Sequence, residues 1–234
     1  MNPLEVAIEA AQKASNVIKS YAQKGFDIQK KAKNDLVTQA DLNSEECIIS
    51  HIQSHFPEHE ILAEESTGAK DLTELPTWII DPIDGTDNFL RKIPFCAVSV
   101  ARLGDTPEDS FGIVHNPITN HTFASLMEAG SYENNQRVQV TPEPLGTKYV
   151  IGLGRSRKEE WMVPAAFAIQ RAVGVKFGRC QPFNCTALEL AYLSAGRLDG
   201  FLTFGLNTYD YGAGLYLVKA AGGAISVFEA GQWK

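Results

Sequence analysis

Two aspartates separated by a Pro-Ile pair close a short apolar run in Trp78-Ile79-Ile80-Asp81-Pro82-Ile83-Asp84-Gly85-Thr86-Asp87-Asn88-Phe89. Thr77 to Ile80 reads as a buried strand that delivers both carboxylates at its end, and Pro82 fixes the backbone between them. At that spacing Asp81 and Asp84 can share a pair of hard cations, with the carbonyl of Ile83 as a further oxygen ligand. Gly85 permits a tight turn. If a helix starts behind it, the N–H groups of Gly85 and Thr86 form an anion site of the kind phosphate uses. Carboxylates for metal beside amides for phosphate is the layout of a metal-assisted phosphatase. Taken alone, the same residues could equally build a polar turn with two capping aspartates.

Three further segments bear on that choice. Ile61-Leu62-Ala63 reads as a strand ending in the acids Glu64-Glu65, followed by Ser66. Asp35-Leu36-Val37-Thr38-Gln39-Ala40-Asp41 sets a hydroxyl and a carboxylate three residues apart at a helix start, which a helix cap would also explain. Asn207-Thr208-Tyr209-Asp210-Tyr211-Gly212-Ala213-Gly214 places an aspartate at the head of an apolar, small-residue helix, where it could serve only the helix dipole. In this order and at these separations, the four segments resemble the inositol monophosphatase family of magnesium-dependent phosphatases, including its broad-specificity bacterial members. The motif D-P-[IL]-D-G-T-x-N-F falls on Asp81 to Phe89, D-x-V-T-x-x-D on Asp35 to Asp41, and E-E-S on Glu64 to Ser66. The aromatic-Asp signature falls on Tyr209 to Gly214, and the run Ala195 to Phe201 looks like the family's approach to that last aspartate. The similarity covers essentially the whole chain.

The resemblance implies an α+β fold, a layered α/β/α/β/α sandwich of the inositol monophosphatase and fructose-1,6-bisphosphatase type. It implies two to three magnesium ions: one held by Glu64, Asp81 and the Ile83 carbonyl, one by Asp81, Asp84 and Asp210, and a weaker one near Glu64. It implies that Thr86, linked to Asp41, orients the attacking water, with Glu64 completing the catalytic set. Substrate contacts are implied at Asp84, Gly85, Thr86, Asn184, Thr186, Thr203 and Asp210. The implied substrate is inositol monophosphate or a similar small polyol or sugar phosphate. Fructose 1,6-bisphosphate, 3′-phosphoadenosine nucleotides and histidinol phosphate are the alternatives, and a regulatory partner of the transcription machinery is the alternative class. A homodimer is implied as well.

Three positions depart from the family pattern. Thr203 stands where inositol-specific members commonly carry Glu, which weakens the case for myo-inositol 1-phosphate itself. Asn184-Cys185-Thr186-Ala187 replaces the usual Gly-Ser-Ala-Ala, so a side chain projects where backbone usually meets substrate. Asp87 follows Thr86 where a neutral residue is common, and reads as a solvated charge.

The elements that must hold these residues follow from periodicity. Residues 4–24 place Val6, Ala10, Ala14, Val17, Ile18 and Tyr21 on one stripe of an amphipathic helix. Lys30 to Lys33 reads as a basic turn, and a second helix begins near Asp41 and ends near Phe56-Pro57. Strands are expected at Phe95–Leu103, Phe111–Asn116, His121–Leu126 (closed by Gly130), Tyr149–Leu153, Phe201–Phe204 and Ala224–Phe228. Helices are expected over Glu159–Val173, Thr186–Ala195 and Tyr211–Ala221. One domain spans residues 1–234, with any subdivision near residue 145, between a metal- and phosphate-binding half (1–145) and an α/β half (146–234).

Composition bounds the rest. With 44% hydrophobic and 21% charged residues over 234 positions, the chain reads as an ordinary globular protein. A net charge of −7 argues against direct nucleic-acid binding, which needs clustered Lys and Arg. Cys47, Cys96, Cys180 and Cys185 form no CxxC pair and lack His partners for zinc, so reduced thiols and a cytoplasmic setting are expected. No apolar run is long enough to span a membrane, and Glu5 and Glu9 make the N-terminus unlike a secretory signal.

Overall fold

A computed structural model of the chain describes residues 1–24, 28–32, 35–67, 75–126, 128–143, 149–154, 160–229 and 232–233, with the backbone alone for 28–32, 35–37, 228–229 and 232–233. In chain order the elements are α1 (Pro3–Lys24), β1 (Ile28–Ala32), β2 (Asp35–Thr38), α2 (Gln39–His55), β3 (Glu60–Ala63), β4 (Thr77–Asp84), α3 (Thr86–Leu90), β5 (Ala97–Leu103), β6 (Phe111–Asn116), β7 (His121–Leu126), β8 (Gly130–Glu133) and β9 (Gln136–Val138). They continue with β10 (Tyr149–Leu153), α4 (Met162–Phe177), β11 (Gly178–Gln181), α5 (Thr186–Ser194), β12 (Gly200–Leu202), α6 (Thr208–Ala220), β13 (Phe228–Glu229) and β14 (Gln232–Trp233).

A seven-stranded sheet in the order β3-β4-β5-β6-β7-β8-β9 forms the frame, antiparallel except for the parallel β3–β4 pair. Alternation along β4 sends Trp78 and Ile80 to one face and Ile79 to the other, and both faces are covered. On the first face the alanine-rich stripe of α1 (Ala7, Ala10, Ala11, Ala14) and Ile48 and Ile52 of α2 pack against Trp78, Ile80, Val98 and Ile113. On the second, Leu188 and Ala191 of α5 and Ala213 and Leu217 of α6 pack against Ile79, Ala101, Val114 and Phe123. Helix α6 lies so close to β6 that a Cβ on Gly112 would come within 2.1 Å of the Ala213 carbonyl oxygen, so no larger residue fits there. A second, parallel sheet in the order β11-β10-β12 carries Leu153 and Cys180 against Ala166 of α4. The result is the expected five-layer α/β/α/β/α order, with α5 and α6 between the two sheets.

The structure departs from the sequence-level elements in places. Lys30 and its neighbours lie in β1, paired antiparallel with β2, instead of in a turn; Lys33 lies outside the described residues. Gly130 does not close a strand but opens β8, which pairs on to β9; these short strands lack the apolar alternation that would reveal them. Ala224 to Val227 form no strand, and only Phe228 and Glu229 pair, with β14. β11 was not anticipated, and α4 runs four residues past Val173, to Phe177. The subdivision near residue 145 and the helix start at Glu159 fall outside the described residues. Among the described residues, no helix is long and apolar enough to cross a membrane.

Candidate functional site

β4 runs past Ile80 to Asp84, and its pairing with β5 is what aims the two aspartates. Asp81 sits opposite Ser99 and Asp84 opposite Ala97, so the two residues between them bulge out of register. The bulge accommodates Pro82, which has no N–H for the ladder, and breaks the alternation that would otherwise fix where Asp84 points. The Ile83 N–H closes the bulge by donating to Asp81 Oδ1 at 3.0 Å. Gly85 then turns the chain at φ +84°. A Cβ there would meet the Phe95 carbonyl oxygen and Cys185 Cβ at 3.1 Å, so both the conformation and the space call for glycine.

The parallel pairing of β3 with β4 brings the second acid pair to the same end of the sheet. Ala63 is in register with Ile80, and the Glu64 N–H donates to the Ile80 carbonyl at 3.1 Å, which sets Glu64 beside Asp81. Of the neighbouring acids, Glu64 acts most strongly on the Asp81 carboxyl. Asp81 is 2% exposed. Burial first, then the charges of Glu64, Asp84 and Asp210, push its carboxyl well above the usual range. Asp84 is raised to about 7, chiefly by burial and further by Asp210, against the pull of the Ala187 N–H, which donates to Asp84 Oδ2 at 2.5 Å. The Gly85 backbone also lowers the Asp84 carboxyl, by less than burial raises it.

Asp41 and Asp210 arrive by a shared device. Each is the third residue of a helix and closes a capping box: Asp41 with Thr38 ahead of α2, Asp210 with Asn207 ahead of α6. Thr38 donates to Asp41 Oδ2 through its N–H at 2.8 Å and its hydroxyl at 2.5 Å, and the Asn207 N–H reaches Asp210 Oδ2 at 2.6 Å. In Asp41 the cap occupies only one oxygen. Oδ1 lies 3.3 Å from the Thr86 hydroxyl, which also lies 3.1 Å from the Ile83 carbonyl, so one hydroxyl hydrogen serves two acceptors. Burial raises the Asp41 carboxyl above its ordinary range despite the Thr38 bonds.

The structure therefore brings Asp41, Glu64, Asp81, Ile83, Asp84, Gly85, Thr86 and Asp210 to one end of the large sheet. Thr186 opens α5 beside them, and Asn184, exposed and left-handed at φ +58°, precedes it. Thr203 follows β12, exposed and packed near Gly154, and none of its described contacts joins it to the carboxylates. Asp87 is exposed. Among the described residues, no three His, Cys, Asp or Glu side chains are already gathered closely enough to hold a metal ion. The donor set nevertheless fits a hard divalent cation: every side-chain group is a carboxylate, and the acids raise one another's pKa. Such a cluster needs either protons or a cation.

Four supporting groups had no role in the sequence reading, although Asn88 itself lies in the Asp81 to Phe89 motif. Glu45, 2% exposed, accepts the Glu65 N–H at 2.7 Å and so pins the turn that carries Glu64. Its place one helical turn after Asp41 was the available signal. Asn88 and the Ala187 N–H tie the start of α5 to Asp84. Glu189, fully buried on α5, is pushed up to about 8 by burial and by Asp84. On sequence it is merely one polar residue in an apolar helix.

Comparison with known proteins accounts for this layout. The family described as "Inositol monophosphatase family" matches residues 2–233. The Nus factor SuhB of Escherichia coli K12 is 37% identical, over 99% of this chain and 88% of that protein. That of Pasteurella multocida is 35% identical, over 99% and 88%. A name of this kind fits poorly with the expectation of no nucleic-acid contact. Among solved structures, the extragenic suppressor protein suhB of Bartonella henselae superposes with a TM-score of 0.83 at 31% identity, covering 93% of this chain and 84% of that one. An inositol monophosphatase from Anabaena gives 0.80 at 29%, covering 94% and 81%. On that match the chain belongs to the inositol monophosphatase family.

Proposed function

We propose that the protein is a magnesium-dependent phosphomonoesterase acting on inositol monophosphate or a similar small polyol or sugar phosphate. The observation that carries this reading is the crowding at Asp81: among the described residues, the charges that chiefly act on its buried carboxyl are those of Glu64, Asp84 and Asp210, all acids. Left without a cation, such a cluster costs folding free energy.

In this reading Glu64, Asp81 and the Ile83 carbonyl would hold one ion, Asp81, Asp84 and Asp210 would hold a second, and a third would sit near Glu64. When bound, magnesium supplies positive charge to the phosphate oxygens and acidifies water. The Thr86 hydroxyl, held between Asp41 Oδ1 and the Ile83 carbonyl, orients the attacking water, and Asp41 accepts the proton passed through it. The amides of Gly85 and Thr86 donate to the phosphate as charge develops. Asn184, Thr186 and Thr203 face the alcohol portion. The neutral Thr203 favours a broad polyol specificity over one for myo-inositol 1-phosphate. The protein acts as a homodimer in the cytoplasm.

A second reading rests on the relatives named Nus factor, 35% to 37% identical over nearly the whole chain: a role as a partner of the transcription machinery. One panel separates the two. Phosphate release is measured with inositol 1-phosphate, fructose 1,6-bisphosphate, a 3′-phosphoadenosine nucleotide and histidinol phosphate, each with and without magnesium. Magnesium-dependent release from a polyol phosphate is the expected result. Release from none of them by a protein that binds magnesium would overturn the enzymatic reading and favour the partner role.

A further inference from the structure

Asn88 is 6% exposed in α3, and its side-chain amide is spent on main-chain carbonyls. Nδ2 donates to the carbonyls of Phe95 and Phe183, each at 2.8 Å, and lies 3.4 Å from that of Asn184. Three acceptors around one atom identify it as the nitrogen, and its two hydrogens go to the two short contacts. Phe183 and Asn184 form the turn into α5, where the chain takes a left-handed step at Asn184. Immediately beyond that turn, the Cys185 thiol donates to the Asp84 carbonyl at 3.4 Å and the Ala187 N–H donates to Asp84 Oδ2 at 2.5 Å. A closed ring results. It runs along the chain from Asp84 to Asn88, through space to Phe183, along the chain to Ala187, and back to the Asp84 carboxylate. The Gly85 site lies inside this ring, with Asn184, Cys185 and Phe95 atoms within 3.2 Å of where a Cβ would stand.

We infer that Asn88 is a positioning residue for the cation cleft: it holds the Phe183–Ala187 segment against Asp84 and thereby sets which Asp84 oxygen is left for a cation. With the ring closed, Oδ2 is committed to the Ala187 N–H. Without the Asn88 donor, two carbonyls lose their partner, the turn at Asn184 relaxes, and Asp84 is freed to rotate toward Asp210 or Asp81. The inference rests on the phosphatase reading only in requiring that the cleft bind a divalent cation.

The test is a calorimetric titration of the purified full-length protein with magnesium chloride, well below the unfolding temperature. It is run on the wild type, Asn88→Ala and the milder Asn88→Ser. Arg197→Met, a destabilising change that removes none of the hydrogen bonds of the ring, is the control for stability loss alone. Asn88→Ala is expected to weaken magnesium binding about tenfold to a hundredfold, the usual effect of losing a group that orients a ligand. Asn88→Ser is expected to fall between it and the wild type, and Arg197→Met to bind as the wild type does. Equal affinity in wild type and Asn88→Ala overturns the positioning role while leaving the phosphatase reading intact. So does an equal loss in Arg197→Met. Failure of both Asn88 variants to fold makes the residue a scaffold element and overturns the role too. If the wild type binds neither magnesium nor manganese, the phosphatase reading falls, and this inference falls with it.

Discussion

Two clusters of charge sit on the large sheet, and they are built on opposite plans. At the end of β4, Asp81 and Asp84 face Glu64 and Asp210, and among the described residues the charges that chiefly act on them are negative. On β8, Glu133 accepts from Arg197 at 2.6 and 2.8 Å and pairs with His121 at 2.7 Å. Arg197 in turn lies 4.8 Å over the ring of Tyr192 and 5.7 Å over that of Phe123. Burial pushes Glu133 up, but Arg197 and His121 outweigh it and hold the carboxyl below its ordinary value. At Asp84 burial prevails and the carboxyl rises to about 7. One cluster is internally satisfied and joins elements of the fold. The other is left in charge debt, which is a cost in folding but what a cation site requires.

The largest effect should follow from removing charge at the unsatisfied cluster. Asp84→Asn is expected to lower phosphatase turnover by at least about a hundredfold, because the reacting groups lose their alignment. The metal-free variant should melt at a higher temperature than the wild type, since a like charge has gone, while magnesium should no longer raise its melting temperature much. Near-normal turnover in folded Asp84→Asn would erase the distinction between the clusters.

The opposite result is expected at the satisfied cluster. Arg197→Met leaves Glu133 partly buried beside His121 alone, and should cost about 1–2 kcal/mol of stability, in the range for a charge-assisted hydrogen bond that keeps some solvent access. Urea unfolding gives the cost as a shift in midpoint. Turnover and magnesium affinity should stay within about twofold of the wild type, because Arg197 pairs with Glu133 and touches none of the clustered acids. A large fall in magnesium affinity would mean that the two clusters are coupled through α5.

How far the sequence anticipated each cluster depends on how local its determinants are. The acids of Asp81 to Asp84 and Glu64 lie at strand ends within short motifs, so their types and spacing could be read directly. The capping residues Thr38 and Asn207 could be seen as helix starts, although not that Asp41 and Asp210 would each serve a cap and a cleft. What escaped was long-range. Asn88 meets carbonyls 95 and 96 residues away, and Arg197 meets Glu133 across 64 residues. No periodicity links such partners, because packing of α5 on the sheet, not local geometry, brings them together. Glu189 was hidden differently: its helix stripe is apolar on nearly all sides, so a buried acid there contradicts the pattern instead of following it. β8 and β9 were missed because strands of four and three residues are too short to show an apolar alternation.

The pH dependence of stability offers the finest discrimination, since the two clusters should act at opposite ends of the scale. Asp84 and Glu189, raised to about 7 and about 8, hold protons in the folded state that the unfolded chain has already lost. Their contribution is fully present below the unfolded values of 3.8 and 4.5 and is lost as pH rises from there to the folded values, so the metal-free protein should become less stable between about pH 5 and about 8 and level off above. Magnesium, which binds the deprotonated carboxylates, should reverse that slope. Glu133 has the opposite sign: its lowered pKa contributes stability above its unfolded value of 4.5, which is lost as pH falls through the folded pKa. His115, buried and neutral with its pKa lowered to about 4, adds to the same acid limb, because the unfolded imidazole takes up a proton near pH 6.5 and the folded one does not. Melting curves across the pH range should therefore show Asp84→Asn flattening only the alkaline limb and Glu133→Gln only the acid limb. The Glu133→Gln effect should be the smaller, because His115 still contributes on that side. If both variants flatten the same limb, the carboxyls of the two clusters share one environment, and the contrast between an indebted site and a satisfied one is wrong.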